Sequence, residues 1–187
     1  MVTIRNVISN VASGQSSLQV RHILNALNAF YKSIKDQIKI VYAKSELDGT
    51  IVYFKVPSEY TAKLQYDVVV WFRETGKIGL ETEIKVYSNS PGFAYNFAYI
   101  LYKAQGLLFT EEFPNEFLTM PPKTRNPLGS KGFDKHVYSS MKLVGSQRST
   151  LEALIKQYDR ALEPTVMSFK DKEQEIKKIN EMKKLKK

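Results

Sequence analysis

The run Tyr66-Asp67-Val68-Val69-Val70-Trp71-Phe72 narrows the folds open to this chain more than any other stretch. After Asp67 it is β-branched and aromatic with no polar residue, which predicts a central strand buried on both faces. Glu74-Thr75-Gly76-Lys77 reads as a short polar hairpin connection with glycine where φ is positive. Thr82-Glu83-Ile84-Lys85-Val86-Tyr87 reads as the returning strand. Its alternation sends Ile84 and Val86 toward a core and Glu83, Lys85 and Tyr87 to the opposite face, which is expected to be wet or functional. In Ser88-Asn89-Ser90-Pro91-Gly92, Ser90 offers an N-cap hydroxyl and Pro91 suits a first helical turn. Phe93, Phe97, Tyr99, Ile100, Leu101 and Tyr102 then predict one helix, apolar around most of its circumference, with Gly106 at its C′ position.

Upstream, Ser16-Ser17-Leu18-Gln19 is a capping-box pattern. Behind it Leu18, Val20, Ile23, Leu24, Leu27, Phe30, Tyr31, Ile34 and Ile38 repeat at three and four residues. This helix is expected to pack on the sheet, because each large apolar side chain left in water forfeits roughly 1.5–3 kcal/mol. Ile38 to Ala43 and Thr50 to Val56 flank Leu47-Asp48-Gly49 and predict a hairpin ended by Pro57. The fold class that follows is α+β. A largely antiparallel sheet of four to five strands, the fifth being Leu107-Leu108-Phe109, is packed by the N-terminal helix and the aromatic helix, with a C-terminal helical extension.

The chain divides into an N-terminal arm (1–14), an α+β core (15–112), an extended Pro/Gly loop (113–132), a helical segment (133–164) and a basic C-terminal helix or tail (165–187). The arm carries Ile4, Val7, Ile8 and Val11 at helical spacing, and the loop is broken by Pro114, Pro121, Pro122, Pro127, Gly129 and Gly132. In the helical segment Phe133, Val137, Met141 and Val144 mark one helix. Ser149-Thr150-Leu151-Glu152 caps a second, with Leu151, Leu154, Ile155, Tyr158 and Leu162 on one face and Pro164 as its stop.

At 187 residues, 43% hydrophobic and 25% charged, the chain can build one domain with a full core. No apolar run approaches the roughly 20 residues of a membrane span. The N-terminus lacks the layout of a signal peptide, so a soluble protein without a membrane partner is expected. The absence of cysteine excludes disulfides, thiolate catalysis and cysteine-bound zinc. The net charge of +9 favours an anionic partner: nucleic acid, an acidic protein surface or an anionic membrane. Lys123, Arg125, Lys131, Lys135, Lys142 and Arg148 are the candidate anion or nucleic-acid contacts. In the tail, Ile176, Ile179, Met182 and Leu185 form an apolar seam on a charged helix, too thin for a core and suited to docking on a partner. Phe117 and Met120 in the Pro/Gly loop are further candidate partner contacts.

Chemistry-bearing patterns are sparse. His22 and His136 belong to no metal-like cluster and read as structural. Gly129-Ser130-Lys131-Gly132 has the spacing of a KH loop but follows a proline-broken segment and reads as a turn. Tyr95, Tyr99 and Tyr102 with Phe93 and Phe97, at helical spacing, read as core before they read as a base-stacking surface. There is no nucleophile elbow, phosphate loop or dinucleotide fingerprint. Asp67 followed by Glu83-Ile84-Lys85 resembles the acidic-plus-Glu-x-Lys signature of the restriction-endonuclease-like nucleases, and the element order is similar to that fold's core. The resemblance implies magnesium held by Asp67 and Glu83, with Lys85 assisting the attacking water. It departs in that Asp67 opens the central strand with no proline before it, and surface ion pairing is the plainer account of Glu-x-Lys.

A second resemblance rests on Tyr66-Asp67-Val68-Val69, on Tyr87 through Tyr95, and on Arg125-Asn126-Pro127. These stretches are similar to those of small bacteriophage virion-assembly proteins. The resemblance implies a non-enzymatic structural component of a phage neck, connector or tail, without a cofactor, located in the virion and assembled in the host cytoplasm. Its expected partners are other virion proteins and copies of itself in an oligomer or ring, reached through the N-terminal arm, the 113–132 loop and the C-terminal helix. A basic nucleic-acid-binding module is the remaining alternative.

Overall fold

The predicted strands form one antiparallel sheet in sequence order: β1 (Lys39–Glu46), β2 (Gly49–Pro57), β3 (Gln65–Phe72) and β4 (Ile84–Ser88). The computed structural model describes residues 1–9, 16–46, 48–74, 76, 78–122, 134–146, 151–158 and 160–184. β3 is central as expected, with Val68, Val69, Val70 and Phe72 fully buried. It pairs with β2 through Phe54↔Val68 and Val52↔Val70, and with β4 through Val70↔Val86 and Phe72↔Ile84. Gly49 is required where β2 starts, since a Cβ there would lie 2.0 Å from the Phe72 carbonyl oxygen. The connection from β3 to β4 spans residues 73–83 rather than a tight hairpin, and Arg73 N–H donates to the Glu83 carbonyl at 2.9 Å.

The first residues are part of the body and not a free arm. Ile84 N–H donates to Val2 O at 2.8 Å and Ile4 N–H to Thr82 O at 3.1 Å, so residues 2–4 close the outer edge of β4. α1 (Ile4–Ser9) follows with Val7 buried. The expected fifth strand is reduced to one parallel bridge between Leu107 and Val86 on the same edge. Gly106 serves this closure and is not a left-handed cap. A Cβ on it would come within 2.3 Å of Val2 Cγ2, while the left-handed residue is Gln105 at φ 57°.

Pleating divides the sheet residues between two covers. On the face of Tyr66, Val68, Val70 and Phe72 lies α6 (Lys135–Ser146), whose Val137, Met141 and Val144 are buried and whose His136 ring meets Tyr66 at 4.7 Å between centroids. α2 (Ser17–Ile34) has the predicted capping box: Gln19 N–H donates to Ser16 Oγ at 3.3 Å and Ser16 N–H to Gln19 Oε1 at 2.9 Å. It packs mainly against α6 and not on the sheet, burying Val20, Leu27, Phe30 and Ile34 and leaving Leu18 exposed. α6 takes the place expected for α2, and its buried surface mixes apolar residues with His136, Ser139 and Ser140. Small polar side chains allow close approach to a sheet, yet they dilute the apolar stripe by which a helix is recognised.

α7 (Leu151–Tyr158) lies along β1, with Leu151 and Leu154 buried and Tyr158 Oη donating to Ile40 O at 2.7 Å. It stops well before Pro164, and Leu162 is 93% exposed rather than on a helix face. The aromatic helix is two helices, α3 (Pro91–Asn96) and α4 (Ala98–Lys103), broken where Phe97 takes φ −124°. Ser90 caps α3 as predicted, accepting from Phe93 N–H at 3.2 Å. A short α5 (Asn115–Thr119) forms inside the Pro/Gly stretch, where no regular element was expected.

The sheet face of Tyr53, Asp67 and Tyr87 is not wet. Residues 160–168 cross it as an extended strap that leads into α8 (Phe169–Lys184). Tyr87 is fully buried, donates from its hydroxyl to Met167 O at 2.8 Å and meets Phe109 and Phe113 edge-on or tilted. The strap and the root of α8 therefore belong to the body, so the tail does not begin at residue 165.

Candidate functional site

Asp67, Glu83 and Lys85 share a sheet face but do not converge. In the β3–β4 register Lys85 stands opposite Trp71, four residues from Asp67 and thus about 13 Å along the strand. Glu83 lies beyond it, opposite Arg73, with which it pairs at 2.8 Å, and Lys85 Nζ sits 5.3 Å from the Trp71 ring centroid. Asp67 is engaged elsewhere. It is paired with Lys55 across β2, and its Oδ2 accepts from Asn89 Nδ2 at 3.1 Å and from Met167 N–H at 3.1 Å. Asn89 Nδ2 also donates to Met167 O at 3.0 Å. The magnesium site implied by the nuclease resemblance is not assembled, and among the described residues no three His, Asp or Glu side chains are grouped to hold a metal ion. Asp67 instead fastens the strap to the sheet.

The predicted partner contacts separate into two groups. Phe117 is turned inward, meeting Phe169 at 5.1 Å and Tyr95 at 4.8 Å between ring centroids. Met120 is exposed. On α8, Phe169 and Lys172 are buried and fix the root, where Lys172 Nζ donates to Gln65 O at 2.9 Å and Tyr95 Oη to Glu173 at 3.2 Å. Beyond that root Ile176 and Ile179 are half-buried and Met182 is 55% exposed. Leu185 lies outside the described residues, as do Lys123, Arg125, Lys131 and Arg148 of the predicted basic surface. Of the rest, Lys142 is half-buried on α6, and Lys135 is already engaged, ion-paired with Glu59 and placed over the Phe30 and Tyr60 rings at 5.1 and 4.6 Å.

The structure also forms a site that the sequence reading passed over. At the N-terminus of α6 a cleft of about 400 Å³ opens between α2, the 58–66 crossing and α3, lined among others by Tyr60, Tyr66, Ser90, Phe97, Asp134 and His136. Asp134 is the N-cap: its Oδ1 accepts from His136 N–H at 3.1 Å and Val137 N–H at 3.0 Å. Burial pushes its carboxyl up to about 6, against the lowering effect of those two hydrogen bonds and of Lys135. Burial likewise holds the His136 imidazole down to about 3, with Lys135 adding to the effect. Among the described residues neither ring nitrogen of His136 has a hydrogen-bond partner, and Nδ1 stands 3.8 Å from Asp134 Oδ1. The signal available in the sequence was an Asp directly before a helical run, the ordinary N-cap preference. Its coincidence with Tyr66 and Ser90 depends on tertiary packing.

Comparison of the chain with protein-family models, with curated proteins and with solved structures finds no match.

Proposed function

We propose that this chain is a structural protein that works through protein–protein contacts, and that its place is in a bacteriophage particle, at the neck, connector or tail. The observation that carries the first part is α8. One turn and a buried lysine root it in the body, after which Ile176, Ile179 and Met182 continue as a narrow apolar line over charged residues. Such a line is too thin to fold on by itself and fits a groove or a matching helix on another subunit. The phage assignment is supported by the resemblance of the 66–69, 87–95 and 125–127 stretches. Asp67 and Glu83 serving separate ion pairs gives the nuclease alternative no support.

The test is a chain ended after Glu175, which keeps Phe169, Lys172 and their partners. Light scattering over a wide concentration range is expected to show a self-associated full-length chain and a monomeric shortened one with unchanged circular dichroism. A full-length chain that stays monomeric throughout, or a shortened chain of the same oligomeric mass, would overturn the proposal.

A further inference from the structure

We infer that the cleft at the head of α6 is a binding site for a guanidinium group, received by Asp134 Oδ2 and the His136 ring between the Tyr60, Tyr66 and Phe97 side chains. Among the described residues, the Asp134 carboxylate spends one oxygen on the α6 backbone, and Oδ2 accepts nothing. His136 is 3% exposed and, among the same residues, has no partner for either nitrogen. A buried polar atom left unpaired is costly, so two in one ring call for an occupant of the adjoining space.

The chemistry of the cleft selects that occupant. Among the described residues the charged groups lining it are Asp134 and Lys135, and Lys135 is ion-paired with Glu59 at the rim, which leaves the cleft with the negative charge of Asp134. Its imidazole is neutral and offers an acceptor nitrogen once the ring turns about χ2 toward the cleft, a turn that no hydrogen bond opposes. Two acceptors near one another match a planar group with several N–H donors. A guanidinium is such a group, and it is less strongly hydrated than an ammonium and stacks on aromatic faces. The rim already shows that its rings take a cation, with Lys135 Nζ lying 4.6 Å from the Tyr60 centroid. Gly92 leaves the approach open: a Cβ there would stand 4.0 Å from Asp134 Oδ2. The source of the guanidinium is a free small molecule or an arginine side chain presented by another protein, and both share this recognition.

The experiment uses the full chain labelled with ¹⁵N at its two histidines, His22 and His136, with His22 on the exposed side of α2 as internal control. Ethylguanidinium and N-acetylarginine methylamide are titrated separately while the ring nitrogens are followed. Saturable shifts at His136 alone are expected. Equal affinity for the two probes assigns a free guanidinium, and a preference of about tenfold or more for the arginine amide assigns a presented side chain. Asp134→Asn keeps an N-cap oxygen and is expected to weaken binding by at least about tenfold, as loss of a charge-assisted bond implies. Gly92→Val, which leaves both titratable groups in place and fills the approach beside Asp134 Oδ2, is expected to do the same by obstruction. No shift at His136 with either probe, undiminished binding in Asp134→Asn, or equal binding of n-butylammonium would each overturn the assignment.

Discussion

The two faces of the sheet are covered by different means. On one, α6 and behind it α2 present Val137, Met141, Val144, Leu27 and Phe30 in a layered apolar contact without direction. On the other, an extended strap is held by named polar bonds: Asp67 to Met167 N–H, Asn89 to Met167 O, Tyr87 Oη to Met167 O and Tyr53 Oη to Glu163 at 3.1 Å. Apolar area is additive and tolerant of small shifts, whereas a strap carries backbone groups that must be paired wherever they are buried. The strap face is therefore specified by few residues, and losing one of them has concentrated effects.

Ending the chain at Pro164 strips the strap face most completely. Met167 and Phe169 leave with the tail, uncovering Tyr87 and Asn89, so a loss of about 5 kcal/mol or outright failure to fold is expected in urea denaturation. A body that folds with nearly the parental midpoint would show the strap to be dispensable. Next in size is Asp67→Ala, which strips an acceptor from Asn89 Nδ2 and Met167 N–H and leaves the half-exposed Lys55 alone. The expected loss is about 3 kcal/mol with early protease cleavage within residues 160–168, and a loss below about 1 kcal/mol would count against the fastening role.

The smallest effect concerns the helix face and its own buried carboxylate. The unfolded chain protonates its imidazole near 6.5, whereas folded His136 waits until about 3, so acidification through this interval favours unfolding. Asp134 acts in the opposite sense, because the folded carboxyl takes its proton near 6 and the unfolded one near 3.8. Between about pH 6 and 4 the two slopes cancel. Asp134→Asn is expected to uncover the histidine, making stability fall with acidification by about 1.4 kcal/mol per pH unit more steeply than in the parent. His136→Gln is expected to tilt the same interval the other way. Chemical denaturation at pH 4, 5 and 6 measures both, and parallel profiles for all three proteins would refute the coupling.

What could be read from residues alone follows the same division. Strands β2 to β4, the capping box of α2 and the Ser90 cap depend on neighbours in sequence, and all were legible. The identity of the helix on the sheet was not, because Ser139, Ser140 and His136 interrupt the apolar period of α6. The strap is opaque for a related reason: residues 160–168 show no period, and their worth lies in backbone groups paired to Asp67 and Asn89, 100 and 78 residues before Met167. Tyr87 likewise sat on the strand side assigned to solvent because nothing local announced its cover. The Asp134 cleft is assembled from four separate parts of the chain, so only its N-cap was visible.

The closure of the β4 edge has a consequence for how the molecule is made. Residues 2–4 are made well before the groups they pair with: Val2 O accepts from Ile84 N–H, Ile4 N–H donates to Thr82 O, and Val2 lies against Gly106. Until those later groups have emerged, residues 2–4 have no partner, and a β4 finished without them would present an open rim to other nascent chains. A fusion attached ahead of Met1 is therefore expected to slow the sealing of that rim and to raise aggregation during synthesis, even where the completed domain is no less stable.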